Sequence, residues 1–211
     1  MMWFDIQPND RWTPAITHLR KDPVLRKAID RIGPCTLRPR RNYFVKLVQS
    51  VLSQQVSVKA AAAMYLKLGK QFPRRHVTPA GLHAFLTTAD EEVIRSCGLS
   101  RQKRAYLTDL SRRFAAGEVD TKRFGKMTDE EIVAALTPIK GIGRWTVEML
   151  LMFSLNRPDV WPIDDLGLQE SVRVLYGLPA RPKARELQPL GEKWRPYRTI
   201  ASWYLWRAKE G

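Results

Sequence analysis

The sequence predicts an all-α fold of two helical lobes. Three observations carry this: apolar residues recur at helical spacing through most of the 211 residues, no strand-like alternation of useful length interrupts them, and Gly/Pro breaks fall near Gly33-Pro34 and between Pro158 and Pro162. Those breaks are the expected crossing points between a central lobe, residues 40–157, and a second lobe built from residues 1–39 and 158–211.

Taken in order, Leu47, Val48, Val51 and Leu52 supply the buried stripe of a helix over Tyr43 to Ser53. An alanine- and leucine-rich run predicts a second helix from Val58 to Phe72. Thr78-Pro79 and Thr88-Ala89-Asp90 are helix starts, the latter running toward Cys97 and stopped by Gly98. Ser100 to Ala116 is basic and helical, with Leu107, Leu110 and Phe114 on its inner face. Thr128 and Glu131 have the spacing of a capping box for a helix ending near Leu136. Thr137 to Gly143 is then a short hairpin leading into a helix from Arg144 to about Leu155. Asp164 and Asp165 precede a further helix, Leu166 to Tyr176.

Composition narrows the function. Lys and Arg outnumber Asp and Glu by 36 to 21, a net charge of +15, and hydrophobic residues make up 44%. A folded domain with such a surplus attracts polyanions by neutralising phosphates and releasing their counterions. Cys35 and Cys97 are too few for a four-cysteine iron–sulfur cluster, and His18, His76 and His83 form no zinc-binding pattern. No apolar run approaches the roughly 18 residues of a membrane span, and the N-terminus does not read as a signal sequence. A reducing cytoplasm, with association to the nucleoid in a bacterium, is the expected location, and no membrane partner is expected.

Residues 137–165 concentrate the chemistry. Gly141 and Gly143 bracket Ile142, so backbone amides there can approach a phosphate closely, with Arg144 and Lys140 beside them and Lys59 as a further candidate contact. Carbonyls of Thr137, Ile139 and Ile142 can converge on a monovalent cation, sodium or potassium, that bridges to the DNA backbone. Of Asp164 and Asp165, one carboxylate suffices to cap the following helix, leaving its neighbour to face a cleft. Trp145 and Trp206 are flat surfaces on which an extruded base can stack, whereas Trp203 reads as core.

TPIKGIGRWTVEMLLM (137–152) followed by DVWPIDD (159–165) resembles the helix-hairpin-helix–Gly/Pro–Asp superfamily of DNA glycosylases, and most closely its AlkA-type 3-methyladenine DNA glycosylase II branch. LVQSVLSQQVSVKAAAAM (47–64), CGLSRQKRAYLTDL (97–110) and WRPYRTIASWYLW (194–206) extend the resemblance over nearly the whole chain. The resemblance implies the compact form, two helical lobes with a DNA-binding cleft between them, without an extra N-terminal β-rich domain. It implies that Asp165 is the catalytic aspartate and that Asp164 takes the capping role. It places Trp145 where lyase-active relatives carry a lysine nucleophile, Gln55 where a residue wedges into the gap left by the extruded base, and Trp206 in the base pocket. Met149 and Leu166 stand where well-studied members of this branch carry pocket tyrosines, which implies a roomier or less aromatic pocket.

The implied activity is hydrolysis of the N-glycosidic bond of alkylated bases, 3-methyladenine and 7-methylguanine among them, in double-stranded DNA, by a monomer that needs no cofactor and does not cut the strand. Two alternatives stand beside it: a glycosylase for oxidised or mismatched bases, and a helix-hairpin-helix protein that binds DNA without chemistry.

Overall fold

The computed structural model describes residues 10–210; the N-terminal stretch examined for a signal sequence lies, up to residue 9, outside them. Among these residues there are twelve α-helices and no strand. In chain order they are α1 (Thr13–Leu19), α2 (Pro23–Ile32), α3 (Tyr43–Ser53), α4 (Val58–Gly69), α5 (Pro79–Thr88) and α6 (Glu91–Ser96). There follow α7 (Arg101–Ala115), α8 (Asp129–Leu136), α9 (Arg144–Leu150), α10 (Leu166–Leu175), α11 (Ala184–Glu192) and α12 (Arg198–Glu210). The chain divides into two compact units: Arg41–Leu150, and the described residues up to Arg40 joined with those from Leu151 onward.

In the Arg41–Leu150 unit, α3 packs on α4, α7 and α9, α5 packs on α7, and α8 packs on α9. Leu47, Val48, Val51 and Leu52 of α3 are buried, as their spacing requires, together with Leu82, Leu107, Leu110 and Val147. Side-chain oxygens of Asn42, Ser57, Thr78 and Ser100 each accept from a backbone N–H in the first turn of the helix that follows, satisfying a donor the helix itself cannot. Thr128 and Glu131 complete the expected capping box, Thr128 N–H donating to Glu131 Oε2 at 2.6 Å and Glu131 N–H to Thr128 Oγ1 at 3.2 Å.

One helix end differs from expectation: α4 stops at Gly69 rather than Phe72. Pro73 forces the residue before it out of the helical region, and Phe72 is extended at φ −122°, ψ 143°. Gly98, at φ 81°, lies beyond α6 in the left-handed conformation that glycine adopts without strain.

The other unit has its own core, in which Trp12, Leu25, Trp161, Leu168, Trp194, Trp203 and Tyr204 are buried together. Here α12 packs on α2 and α10. Trp161 and Trp194 meet edge to face at 5.1 Å, and the Trp161 indole donates to the Leu187 carbonyl at 3.0 Å. Gly191 makes room for that indole, since a Cβ there would lie 2.5 Å from Trp161 Nε1. Asp22 is a buried hub: Oδ1 caps α2 through Val24 N–H at 2.9 Å, while Oδ2 accepts from the Tyr176 hydroxyl at 2.7 Å and the Trp194 indole at 3.1 Å, and Lys193 Nζ lies 2.7 Å away.

The second segment of this unit starts with one π-helical turn, Leu151–Leu155, where the sequence predicts regular helix to about Leu155. Asn156, at φ 53°, ends it, and Arg40 N–H donates to the Ser154 carbonyl at 2.9 Å, tying the unit's two chain segments together. The loop toward Asp165 is fastened by α12: Val160 N–H donates to Thr199 Oγ1 at 3.0 Å, and the Arg198 guanidinium holds Asp159. Helices α1, α2, α11 and α12 carried no sequence expectation, and α11 forms although Pro189 lies inside it.

Candidate functional site

The hairpin follows α8 directly. Ile139 N–H donates to the Leu136 carbonyl at 3.1 Å, and Ile142 N–H to the Ile139 carbonyl at 3.0 Å. Gly141 takes φ 79°, and a Cβ built on it would lie 2.2 Å from the Tyr106 ring, so both conformation and space require glycine here. Gly143 is exposed with nothing within 4 Å of its Cβ direction. Among the described residues, the N–H groups of Gly141 and Gly143 make no hydrogen bond. The Lys140 N–H, by contrast, is taken by Asp109 Oδ2 at 2.9 Å, which anchors the hairpin tip to α7. Burial raises the Asp109 pKa, but the bonds from the Lys140 N–H and Arg113 outweigh it and hold the carboxyl below its ordinary value.

The expected phosphate ligands differ in what holds them. The Lys140 and Lys59 residues are exposed. Arg144 makes a two-pronged pair with Glu130 of α8, Nη1–Oε1 at 2.8 Å and Nη2–Oε2 at 2.7 Å, and this bond pulls the Glu130 pKa down. Both partners are solvent-exposed, so the pair contributes at most about 1 kcal/mol, and a phosphate can take over the guanidinium at little cost.

Gln55 is exposed and held at φ 57°, a left-handed conformation that costs a non-glycine residue on the order of 1 kcal/mol. What holds it is a residue the sequence reading overlooked. Lys103 of α7 is buried, and its ammonium donates to the carbonyls of Val51 at 2.9 Å, Leu52 at 2.9 Å and Gln54 at 2.7 Å. It thereby serves the orphan carbonyls at the end of α3, and burial lowers its pKa. Lys103 lies four residues before Leu107 and seven before Leu110, on the same inner face, and that spacing was the available signal. Gln54 Nε2 in turn donates to the Gly141 carbonyl at 2.8 Å. Residues 53–56, Tyr106, the hairpin and Trp145 together line an open groove of about 940 Å³, entirely within the Arg41–Leu150 unit. Trp145 is 42% exposed. Met149 in the next turn is half-buried.

In the other unit, the division of labour between the two aspartates needs correction. Asp165, not Asp164, is the N-cap of α10: its Oδ1 accepts from Leu168 N–H at 2.5 Å, while Asp164 is exposed. The same oxygen accepts from the Trp206 indole at 3.0 Å. The cap therefore falls on the residue that the resemblance implies to be catalytic. Trp206 is half-buried, and Phe153 of the π-helical turn lies against it at 5.9 Å with planes 32° apart. Phe153 is an aromatic neighbour that the sequence reading did not single out. Gly167 leaves this corner open, since a Cβ there would lie 3.1 Å from Asp165 Oδ1. Leu166, at the first position of α10, is 60% exposed.

Among the described residues no group of His, Cys, Asp and Glu could hold a metal ion, and no helix is long and apolar enough to cross a membrane. Cys35 and Cys97 are buried free thiols, the first pushed up to about 12 by burial.

The chain is similar to known proteins. Residues 48–196 match the family model described as HhH-GPD superfamily base excision DNA repair protein. The DNA-3-methyladenine glycosylase 1 of Schizosaccharomyces pombe is 36% identical over 190 residues, 87% of this chain and 80% of that protein. A solved structure of a Schizosaccharomyces pombe 3-methyladenine DNA glycosylase in complex with abasic DNA superposes with a TM-score of 0.82 at 35% identity, covering 94% of this chain and 98% of that one. A DNA-3-methyladenine glycosidase from Bacillus halodurans gives a TM-score of 0.79 at 32% identity, covering 99% and 92%. With its hairpin, its helix-capping aspartate and a family match over most of its length, this chain belongs to the HhH-GPD superfamily of base excision DNA repair proteins.

Proposed function

We propose that this protein is a monofunctional DNA glycosylase that everts alkylated bases, 3-methyladenine and 7-methylguanine among them, from double-stranded DNA and hydrolyses the N-glycosidic bond. The observation that carries the reading is Asp165, a half-buried carboxylate oriented by the Leu168 N–H and the Trp206 indole beside an aromatic neighbour. An alkylated purine carries a positive charge and leaves readily, so no strong general acid is needed. Positive charge develops on the deoxyribose in the transition state, and a fixed carboxylate stabilises it and orients the attacking water. Trp206 and Leu166, in the same unit as Asp165, shape the base site, with the electron-poor base stacked on the Trp206 indole.

The amides of Gly141 and Gly143 hold phosphate, joined by Lys140, Lys59 and an Arg144 released from Glu130, while Gln55 fills the vacancy in the stack. Neutral carbonyls of Thr137, Ile139 and Ile142 suit a sodium or potassium ion; Ile139 keeps a lone pair beyond its bond to Ile142 N–H. Hydrolysis itself needs no cofactor. Trp145 offers no amine for a Schiff base with the sugar, and Lys103 has its three protons engaged by carbonyls. The enzyme acts as a monomer in the cytoplasm.

Incubation with methylated duplex DNA tests this. Free 3-methyladenine and 7-methylguanine are expected in the supernatant, leaving intact strands that break only on later alkaline treatment. Strand scission by the protein itself points instead to a lyase acting on oxidised bases, and binding without base release points to a passive binder.

A further inference from the structure

We infer that Gln54 is a positioning residue that couples the hairpin's hold on the DNA backbone to the insertion of Gln55. This rests on Gln55 being the wedge.

Gln54 is anchored at both ends. Its side-chain amide donates to the Gly141 carbonyl at 2.8 Å, and its own carbonyl accepts from Lys103 at 2.7 Å. Neither anchor has slack. The Gly141 backbone is pinned by the Tyr106 ring, which occupies the place of a Cβ, and Tyr106 is itself held by Gln102 through a 2.7 Å hydrogen bond to its hydroxyl. The Lys103 ammonium is fixed by two further carbonyls at the end of α3. The next residue after this double anchor is Gln55, solvent-exposed at φ 57°.

Gly141 contributes its carbonyl to Gln54 while its N–H makes no hydrogen bond, so the phosphate seat proposed for the hairpin amides and the turn that aims Gln55 meet at one residue. Loss of the Gln54 amide leaves Gln55 on a turn held from one side only. The consequence is selective. A wedge matters most where extrusion is costly, at a lesion in a sound base pair, and least where the pair is already weak.

The test measures single-turnover excision of 7-methylguanine placed opposite cytosine or opposite thymine, by wild type, Gln54→Met, Gln55→Ala and the double variant. Gln54→Met removes the donor at nearly constant volume and is expected to slow the cytosine-paired reaction about tenfold and the thymine-mispaired one less than about threefold. The double variant is expected to be no slower than Gln55→Ala alone within about twofold, because both changes disable one device. Gln54→Glu, which keeps size and polarity but faces the Gly141 carbonyl with an acceptor, is expected to show the same selectivity. Thermal melting monitors folding in each case.

Equal slowing on both substrates, or losses that multiply in the double variant, overturns the coupling. If Gln55→Ala is selective and both Gln54 variants behave as wild type, the coupling alone fails. If Gln55→Ala shows no selectivity, the wedge reading itself fails and the coupling with it.

Discussion

Asp165→Asn is expected to reduce base excision by a factor of about 10² to 10³ or more while leaving DNA affinity close to wild type. The substitution is informative because it removes charge and little else. An asparagine oxygen still caps α10 through Leu168 N–H and still accepts from the Trp206 indole, so the local geometry survives. The lost rate then reports the carboxylate's interaction with positive charge on the sugar. Asp165→Ala mixes two effects, since losing the cap alone costs about 1 kcal/mol of stability. Single-turnover excision and equilibrium DNA binding, measured side by side, check this. An Asn variant retaining more than about a tenth of wild-type turnover contradicts the assignment.

The largest effect on stability is expected at Asp22. Its carboxylate is almost fully buried and receives the Tyr176 hydroxyl, the Trp194 indole, the Lys193 ammonium and two N–H groups at the start of α2. Asp22→Ala leaves several of those donors buried without an acceptor and is expected to destabilise the fold by about 3–5 kcal/mol. Burial raises the Asp22 pKa, yet the bonds from Lys193, Tyr176 and Trp194 outweigh it and leave the carboxyl below its ordinary 3.8, while burial and the bond to Asp22 push Tyr176 well up. A carboxyl whose folded pKa lies below its unfolded one contributes stability that is complete above the unfolded value and is lost as pH falls through the folded one. The stability of wild type in chemical denaturation is thus expected to fall as pH drops below 3.8, and that part of the loss is expected to be absent in Asp22→Ala. A variant as stable as wild type near neutrality contradicts the hub.

What the sequence made legible follows from periodicity and local chemistry. Leu47, Val48, Val51 and Leu52 sit at helical spacing and are buried, and Thr128 with Glu131 forms the capping box their spacing announces. The all-helical class, the hairpin and its glycines were readable for the same reason. Less readable was anything decided by distant contacts. The division between Asp164 and Asp165 was reversed for the cap because either residue satisfies the local rule, and only the Trp206 indole, 41 positions away, picks Asp165 for both bonds. Lys103 looked like surface in a basic helix, because its three carbonyl partners belong to a different element. The Glu130 partner of Arg144 was not legible because it stands 14 positions away in sequence. Phe153 was hidden in a turn whose π-helical geometry no local signal marks.

The proposed role of the Asp165 carboxylate is to stabilise positive charge on the sugar of an everted nucleotide. It is tested most directly by comparing affinities for two duplexes, one carrying a cationic pyrrolidine in place of the deoxyribose and the other a neutral tetrahydrofuran. Wild type is expected to prefer the cation by at least about tenfold, and Asp165→Asn to bind both alike. Equal affinity of wild type for the two duplexes, or a preference that survives in Asp165→Asn, contradicts the claim.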